Sequence, residues 1–442
     1  MKNRKMMLFG LVVALSMVLG ACAAPAAAPT AAPATEAPAA ATEAPAAAPT
    51  EAPTAAPTAA PVTIRYWHTM SDAETAQFQK VIDAFQTANP GITVEATRYA
   101  SADFRTALLT AISGGDVPDT VRMDIAWVPE FADQGALMQL DGKLADFDTI
   151  KSAVFPGPMA TNLWKDHYYG LPQDTNTQVL LWNKDVFAKA GITEAPKTME
   201  EFAADACKVT DKANGVYGYA EGGTYFWAPA PIFYAMGGKI VDDKMTTATG
   251  YINSAESVAA FTMLKDLYDK GCMSPNLLGG GIATDAGHGT GKYAMIIDGP
   301  WMVDIYKSNY PDFKVNFAAI PAGTNGTSSV VGGEDVVIMD GSKNKEAAQK
   351  WITYLMSADA QKTMASVGVV PTLSSLTGDP ALPEYFSVFM EQLKTAQARV
   401  VSPKWSDMDT AINNAYTRIL KGEQPVQKAL DQAADEINAL LK

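Results

Sequence analysis

Histidine and cysteine are scarce in this chain, three of each among 442 residues. His68, His167 and His288 are scattered, with neither an H-x-x-H pair nor a Cys-His cluster, and this excludes a zinc site of ordinary spacing. A phosphate-cradling glycine loop is missing too. The stretch "GTGK" at 289–292 has Ala286 where a Walker loop needs its first glycine and Tyr293 where it needs a hydroxyl. No G-x-S-x-G occurs, and the S-x-x-K spacing of Ser342 and Lys345 falls where a helix begins. No metal and no cofactor are therefore expected. Positive charge is also short: 34 Lys and Arg face 48 Asp and Glu, for a net charge of −14. A surface that acidic repels phosphate backbones, so nucleic acid is not an expected partner.

The N-terminus carries Lys2, Arg4 and Lys5, an apolar run over 6–19, and then small residues. This is the pattern of a secretory signal over 1–21, too short for a comfortable membrane span. Leu19-Gly20-Ala21-Cys22 resembles the bacterial lipobox, whose cysteine is acylated and becomes the mature N-terminus. That resemblance implies an extracytoplasmic protein anchored to the bilayer through Cys22. Residues 22–61 are almost all Ala, Pro, Thr and Glu, with "TEAP" at 35, 42 and 50. Such a stretch cannot bury a core; as an extended tether, at ~3.1 Å per residue, it could reach on the order of 100 Å. Cys207 and Cys272 are the other two cysteines. In an oxidising compartment they suggest one disulfide, with two buried thiols as the alternative.

The remaining residues, 62–442, exceed what one core usually holds, so two lobes are expected. "VTIRYW" at 62–67 alternates as a strand does. Ser71 and Glu74 then supply a capping box for a helix bearing Phe78, Val81, Ile82 and Phe85. "NPGITVEATRY", a helix with Phe104, Leu108 and Ile112, and "TVRMDIAW" continue the alternation, which predicts an α/β fold with a mainly parallel sheet covered by helices. Ligands of such sheets sit at the carboxyl ends of strands. Those tips bring forward Trp67 and His68, Asp124 and Trp127, and Asp174 and Asn176. The last pair lies in "GLPQDTNTQVLLWNKD", where a polar run passes directly into an apolar strand.

Several segments resemble carbohydrate-type, family 1 extracellular solute-binding proteins of ABC importers, the group related to maltose-binding protein. They are "YWHTM", "VPDTVRMDIAWVPEFADQGALMQLD", "YGLPQDTNTQVLLWNKDVFAKAGI", "YAMIIDGPWMV", "SVVGGEDVVIM" and "KEAAQKWITYLMSADAQ", in family order. The resemblance implies a two-lobed periplasmic-binding-protein type II fold with crossings near 172–177, Gly299 and Glu334. The lobes would comprise 62–172 plus 299–334 and 173–298 plus 335–442. It implies a non-enzymatic, monomeric carrier that captures a mono- or oligosaccharide by hinge closure and delivers it to importer membrane subunits.

Sugars need hydroxyl-binding groups and flat rings. By resemblance, Asp124, Asp174 and Arg399 are expected to bind hydroxyls, and Trp301 to stack. Asn176 would lie at the hinge, with Gly332, Gly333 and Glu334 lining the third crossing and Trp227 as a second wall. Trp182 and Trp351 fall on strand and helix faces and are expected in the core. The competing readings are a lipid-anchored glycoside hydrolase using a pair such as Asp124 and Asp174, and the same fold carrying a glycerophosphodiester or polyamine.

Overall fold

Residues 60–442 are described by the computed structural model. The signal segment, Cys22 and the stalk through residue 59 lie outside the described residues. β1 (Val62–His68) turns Ile64, Tyr66 and His68 to one fully buried face, as period-2 alternation requires. The predicted capping box then starts α1 (Asp72–Ala88). Ser71 Oγ accepts from the Glu74 amide at 3.3 Å, and a Glu74 carboxylate oxygen accepts from the Ser71 amide at 2.6 Å. Phe78, Val81, Ile82 and Phe85 form the buried stripe of this helix. β2 (Ile92–Arg98), α2 (Ser101–Gly114) and β3 (Thr120–Asp124) follow, and β1 pairs in parallel with both β2 and β3.

After α3 (Val128–Asp133) comes a short hairpin, β4 (Leu163–Trp164) with β5 (His167–Tyr168). The polar run and its apolar sequel form β6 (Gly170–Thr177) and β7 (Val179–Trp182), with only Gln178 between them. The remaining strands are β8 (Tyr217–Ala220), β9 (Tyr293–Asp298), β10 (Asn316–Ala318), β11 (Ser329–Ile338) and β12 (Ala396–Gln397). One sheet runs β12-β11-β3-β1-β2, with β6 also paired to β11; the other runs β10-β7-β9-β8. β6 and β7 therefore belong to different sheets although one residue separates them.

Each sheet carries a packed core on both faces, although β2 at the edge of the first exposes Thr93, Glu95 and Thr97. On the first, Ile64, Tyr66 and Phe78 pack with Trp351 on one side, and Phe104 and Leu108 pack with Val121 and Met123 on the other. On the second, Leu180 and Trp182 join Phe202, Phe261 and Tyr416, while Val179 and Leu181 meet Tyr306 and Phe389. Trp182 and Trp351 are core residues, as their spacing suggested.

The expected lobe boundaries need correction. Residues 299–318 stay with the second sheet: the helix Met302–Asn309 packs Met302 and Tyr306 on Val179 and Leu181, and β10 pairs with β7. Gly299-Pro300 is thus a helix start and not a crossing. Conversely, the helices Lys345–Leu355 and Ala358–Ala365 belong to the first sheet, since Trp351 meets Tyr66 and Phe78 edge-on at 5.8 Å each. The chain crosses at β6–β7, again between β10 and β11, and finally through 394–404. There the helix Phe386–Leu393 and β12 lead into the helix Trp405–Leu420 of the second core.

Cys207, in the helix Met199–Val209, is disulfide-bonded to Cys272, which follows the helix Ala255–Asp269; their Cα atoms are 4.7 Å apart. The bond closes a loop with a sequence separation of 65. Replacing both cysteines with alanine is expected to lower the unfolding free energy by about 4 kcal/mol. Urea titration reads this directly, and an unchanged midpoint would show that the bond constrains nothing.

Candidate binding cleft

β11 lies between β6 and β3, and its register sets three acids abreast. Glu334 is the partner of Asp174 on β6 and of Asp124 on β3. Three neighbouring carboxylates repel one another strongly unless a cation intervenes. That cation is Arg122, two residues before Asp124 and hence on the same face of β3. Its Nε donates to Asp174 Oδ2 at 2.8 Å, and its Nη2 donates to Asp174 Oδ1 at 3.1 Å and to Glu334 Oε2 at 2.8 Å. Arg122 is 5% exposed and Asp174 6%, so these contacts are made away from water. Burial disfavours charge on Arg122, but Asp174 and Glu334 outweigh it and push its pKa up. Burial also pushes Glu334 well up; Arg122 opposes that rise, and the neighbouring Asp174 and Asp124 carboxylates add to it.

The backbone here has room for no other residue at Gly333. Its φ is +119°, and a Cβ would lie 2.5 Å from the Asp174 carbonyl oxygen. The pairing slips by one residue between Glu334 and Asp335, a bulge that this glycine accommodates. At Gly332 a Cβ would meet Asn176 Oδ1 at 2.2 Å and the Trp227 indole at 2.6 Å. The missing side chain is what lets a ring of the second lobe lie on the crossing strand.

Trp227 is the centre of the opposite wall. Its ring lies 6.4 Å from that of Trp301, tilted by 33°, and the Arg399 guanidinium sits 5.6 Å from its centroid. Arg399 Nη2 also reaches Asp124 Oδ1 at 3.5 Å, while the Asp124 carboxylate caps the Ala126 amide at 2.7 Å. Trp301 is exposed, at 39%, and folds over Gly299 at the start of its helix.

Between the acid floor and Trp301 is a cavity of ≈ 430 Å³, within the ~300–1,000 Å³ usual for small-molecule sites; Trp227, Asp124 and Arg399 adjoin it without lining it. Arg122, Asp174, Glu334 and Asn176 line its floor, and Trp301 and Asp304 line one side. Thr69, Ser71, Glu74, Ser101 and the segment 367–370 complete it. The Thr175 amide donates to the Val370 carbonyl at 3.1 Å and ties that segment to β6.

The fold thus brings Asp124, Asp174, Asn176, Trp227, Trp301, Gly333, Glu334 and Arg399 into one neighbourhood. Three expected residues lie elsewhere. His68 is buried under Tyr66 and Phe78 with Nδ1 accepting from the Met70 amide at 3.2 Å, and burial pushes its pKa down to about 4. Trp67 faces the other side of β1 and packs on Tyr99, with ring centroids 4.5 Å apart. Trp127 is half-buried and packs on Phe104 at 6.2 Å, at the edge of the core under α2. Strand alternation explains the first two: the tip of β1 delivers Thr69 to the cavity and not the side chains before it. Arg122 was not foreseen, although an arginine inside "TVRMD" at a buried strand position signals an acid partner.

A family model described as bacterial extracellular solute-binding protein matches residues 71–362, more than half of the chain. The chain belongs to this family. Relatives of this solute-binding protein include a maltotriose-binding protein of Pyrococcus abyssi (strain GE5 / Orsay), 27% identical over 85% of this chain and 79% of its own. Another is the galactooligosaccharide-binding protein of Bacillus subtilis (strain 168), 25% identical over 74% of this chain and 78% of its own. Among solved structures, an ABC transporter solute-binding protein of Thermotoga lettingae TMO bound with alpha-D-tagatose superposes with a TM-score of 0.74. It is 29% identical, covering 86% of this chain and 100% of that one. The GacH receptor of Streptomyces glaucescens GLA.O superposes at 0.73 with 26% identity, covering 86% and 98%. The solute-binding protein accordingly has the two-lobed type II periplasmic-binding fold expected from its sequence.

Two measurements test the floor of the cleft and the buried acid beside it on β11. Arg122→Leu leaves Asp174 and Glu334 facing each other without a cation, and is expected to cost about 3–5 kcal/mol of stability in urea unfolding. Asp335, the residue after Glu334, is fully buried and accepts from Asn162 Nδ2 at 2.7 Å and Thr161 Oγ1 at 2.9 Å. Burial raises its pKa from 3.8 to about 8 in spite of those bonds. The neutral acid is the form the fold favours, so its contribution is complete below pH 3.8 and is lost as pH rises to about 8. Asp335→Asn has no such proton to lose. Its stability relative to the unsubstituted protein is therefore expected to rise across that window, and parallel pH profiles would refute the assignment.

Proposed function

We propose that this solute-binding protein captures a saccharide in the cavity between its lobes, closes around it, and presents it to the membrane subunits of an ABC importer. The arrangement of charge and ring carries the reading. Carboxylates and a guanidinium from the first sheet face the exposed Trp301 indole of the second lobe across one cavity, and the Trp227 ring lies 6.4 Å from that of Trp301. Sugar hydroxyls accept and donate to the former, and their C–H faces lie against the latter. A ligand that touches both lobes favours the closed state by its differential affinity, with no chemistry performed on it.

The names of the relatives support a sugar as cargo. The match to a solute-binding family supports binding over hydrolysis. We further propose that the protein works as a monomer and is held at the cell surface through a lipid on Cys22, with 23–61 as its tether. The lipobox-like sequence ahead of a Pro-rich run supports this. Mass spectrometry of the mature N-terminus tests the anchor.

A thermal-shift screen of mono- and oligosaccharides tests the cargo. A ligand at a hundred times its Kd should stabilise the protein by ~2.7 kcal/mol, and small-angle scattering should show compaction on binding. Trp301→Ala should weaken binding of that ligand by up to about tenfold. A sugar that stabilises the protein yet binds the variant equally well would place the site elsewhere.

A further inference from the structure

The first lobe carries a second aromatic groove that leads away from the cleft. α2 covers β3 by burying Phe104 and Leu108 on Val121 and Met123, and this leaves β2 bare on the α2 side. Thr93, Glu95 and Thr97 are exposed there. In the gap between α2 and the strands lies a groove of ≈ 600 Å³, lined by Arg65, Trp67, Tyr99, Asp103, Thr106 and Thr110 among others. The rings of Trp67 and Tyr99 meet at 4.5 Å with a 43° tilt, and both are only half-buried. Asp103 and Thr106 stand exposed beside them, while Arg65 is held by Asp116 at 2.8 Å.

Near neighbours in the chain line the groove and the cleft at two places. Thr69 lines the cleft and Trp67, two residues earlier, lines the groove; Ser101 lines the cleft and Asp103, on the same first turn of α2, lines the groove. Two extended residues span about 7 Å, so the two openings lie close together at the tip of β1 and the start of α2. The groove is the larger of the two, and a ligand chain too long for ≈ 430 Å³ has room to continue into it.

We infer that the Trp67–Tyr99 groove is a saccharide subsite that takes the distal units of an oligosaccharide whose first units occupy the cleft. The inference rests on the saccharide reading of the cleft and deepens it from sugars in general to extended chains. Angled rings offer faces to the C–H surfaces of successive units, and the Asp103 carboxylate with the threonine hydroxyls offers acceptors and donors to theirs.

Calorimetry on the whole protein with the malto- and galacto-oligosaccharide series, from disaccharide to heptasaccharide, tests the subsite. Affinity is expected to rise with length in the unsubstituted protein. Tyr99→Ala and Trp67→Ala should each remove that rise, weakening the longest chain by up to about tenfold while changing the disaccharide less than about twofold. Thr106→Arg fills the groove from the exposed face of α2, leaves both rings in place, and should do the same. Length-independent affinity, or variants that weaken all lengths equally, would overturn the subsite while leaving the cleft reading intact. If neither series binds at any length and monosaccharides alone bind, the chain-length inference falls. If no saccharide binds, the cleft reading falls and takes the subsite with it.

Discussion

A single buried guanidinium organises this molecule. Arg122 lies on β3, and its two partners lie on β6 and β11, the strands by which the chain leaves and re-enters the first lobe. Charges removed from water are tolerated only when paired with good geometry. The position of either crossing strand is therefore tied to the other through Arg122, and through both to the strand beneath. An apolar residue at 122 could pack as well in volume, but it would leave Asp174 and Glu334 in mutual repulsion at the place where the lobes articulate.

The same constraint shapes the cleft. Because Arg122 occupies both oxygens of Asp174 and one of Glu334, the floor presents a fixed polar pattern and not a set of mobile carboxylates. Such preorganisation lowers what a ligand must spend in ordering side chains. The opposite wall is held differently, by stacking: Trp227 rests on the bare backbone of Gly332, with Trp301 and Arg399 against it. Lobe motion would slide an aromatic wall over an ionic floor, with the glycines of β11 and the bulge beside them at the pivot. A ligand bridging the two changes the balance of open and closed states in proportion to what it gains from both.

Much of this was legible in the residues. The capping box of α1, the alternation of β1 and the heptad-like stripes of the helices are local, and local patterns survive folding unchanged. Asp124 and Asp174 could be named because they sit at strand tips, where an α/β sheet puts its ligands, whereas Trp227, Trp301, Glu334 and Arg399 came from the family resemblance. Two residues were misplaced for one reason: a strand tip supplies side chains alternately to opposite faces, and counting from the tip without the face sends Trp67 and His68 into the cleft when one belongs to a flank and the other to a core. The crossing expected near Gly299 came from the family resemblance, and the residues could not correct it, because a glycine-proline pair marks the end of a strand equally well whether the chain then crosses or turns back on its own sheet.

Composition and periodicity alone determined that the described residues would form α/β layers in two lobes, that polar chemistry would concentrate at a few strand ends, and that neither zinc nor bound nucleotide was to be expected from the usual motifs. These follow from interactions between residues a few positions apart. Which lobe owns 299–318 and 345–365, which cysteines meet, and that Arg122 joins residues 52 and 212 positions away were decided only in three dimensions. Pairing across such separations depends on sheet order and register, and no period in the chain encodes either.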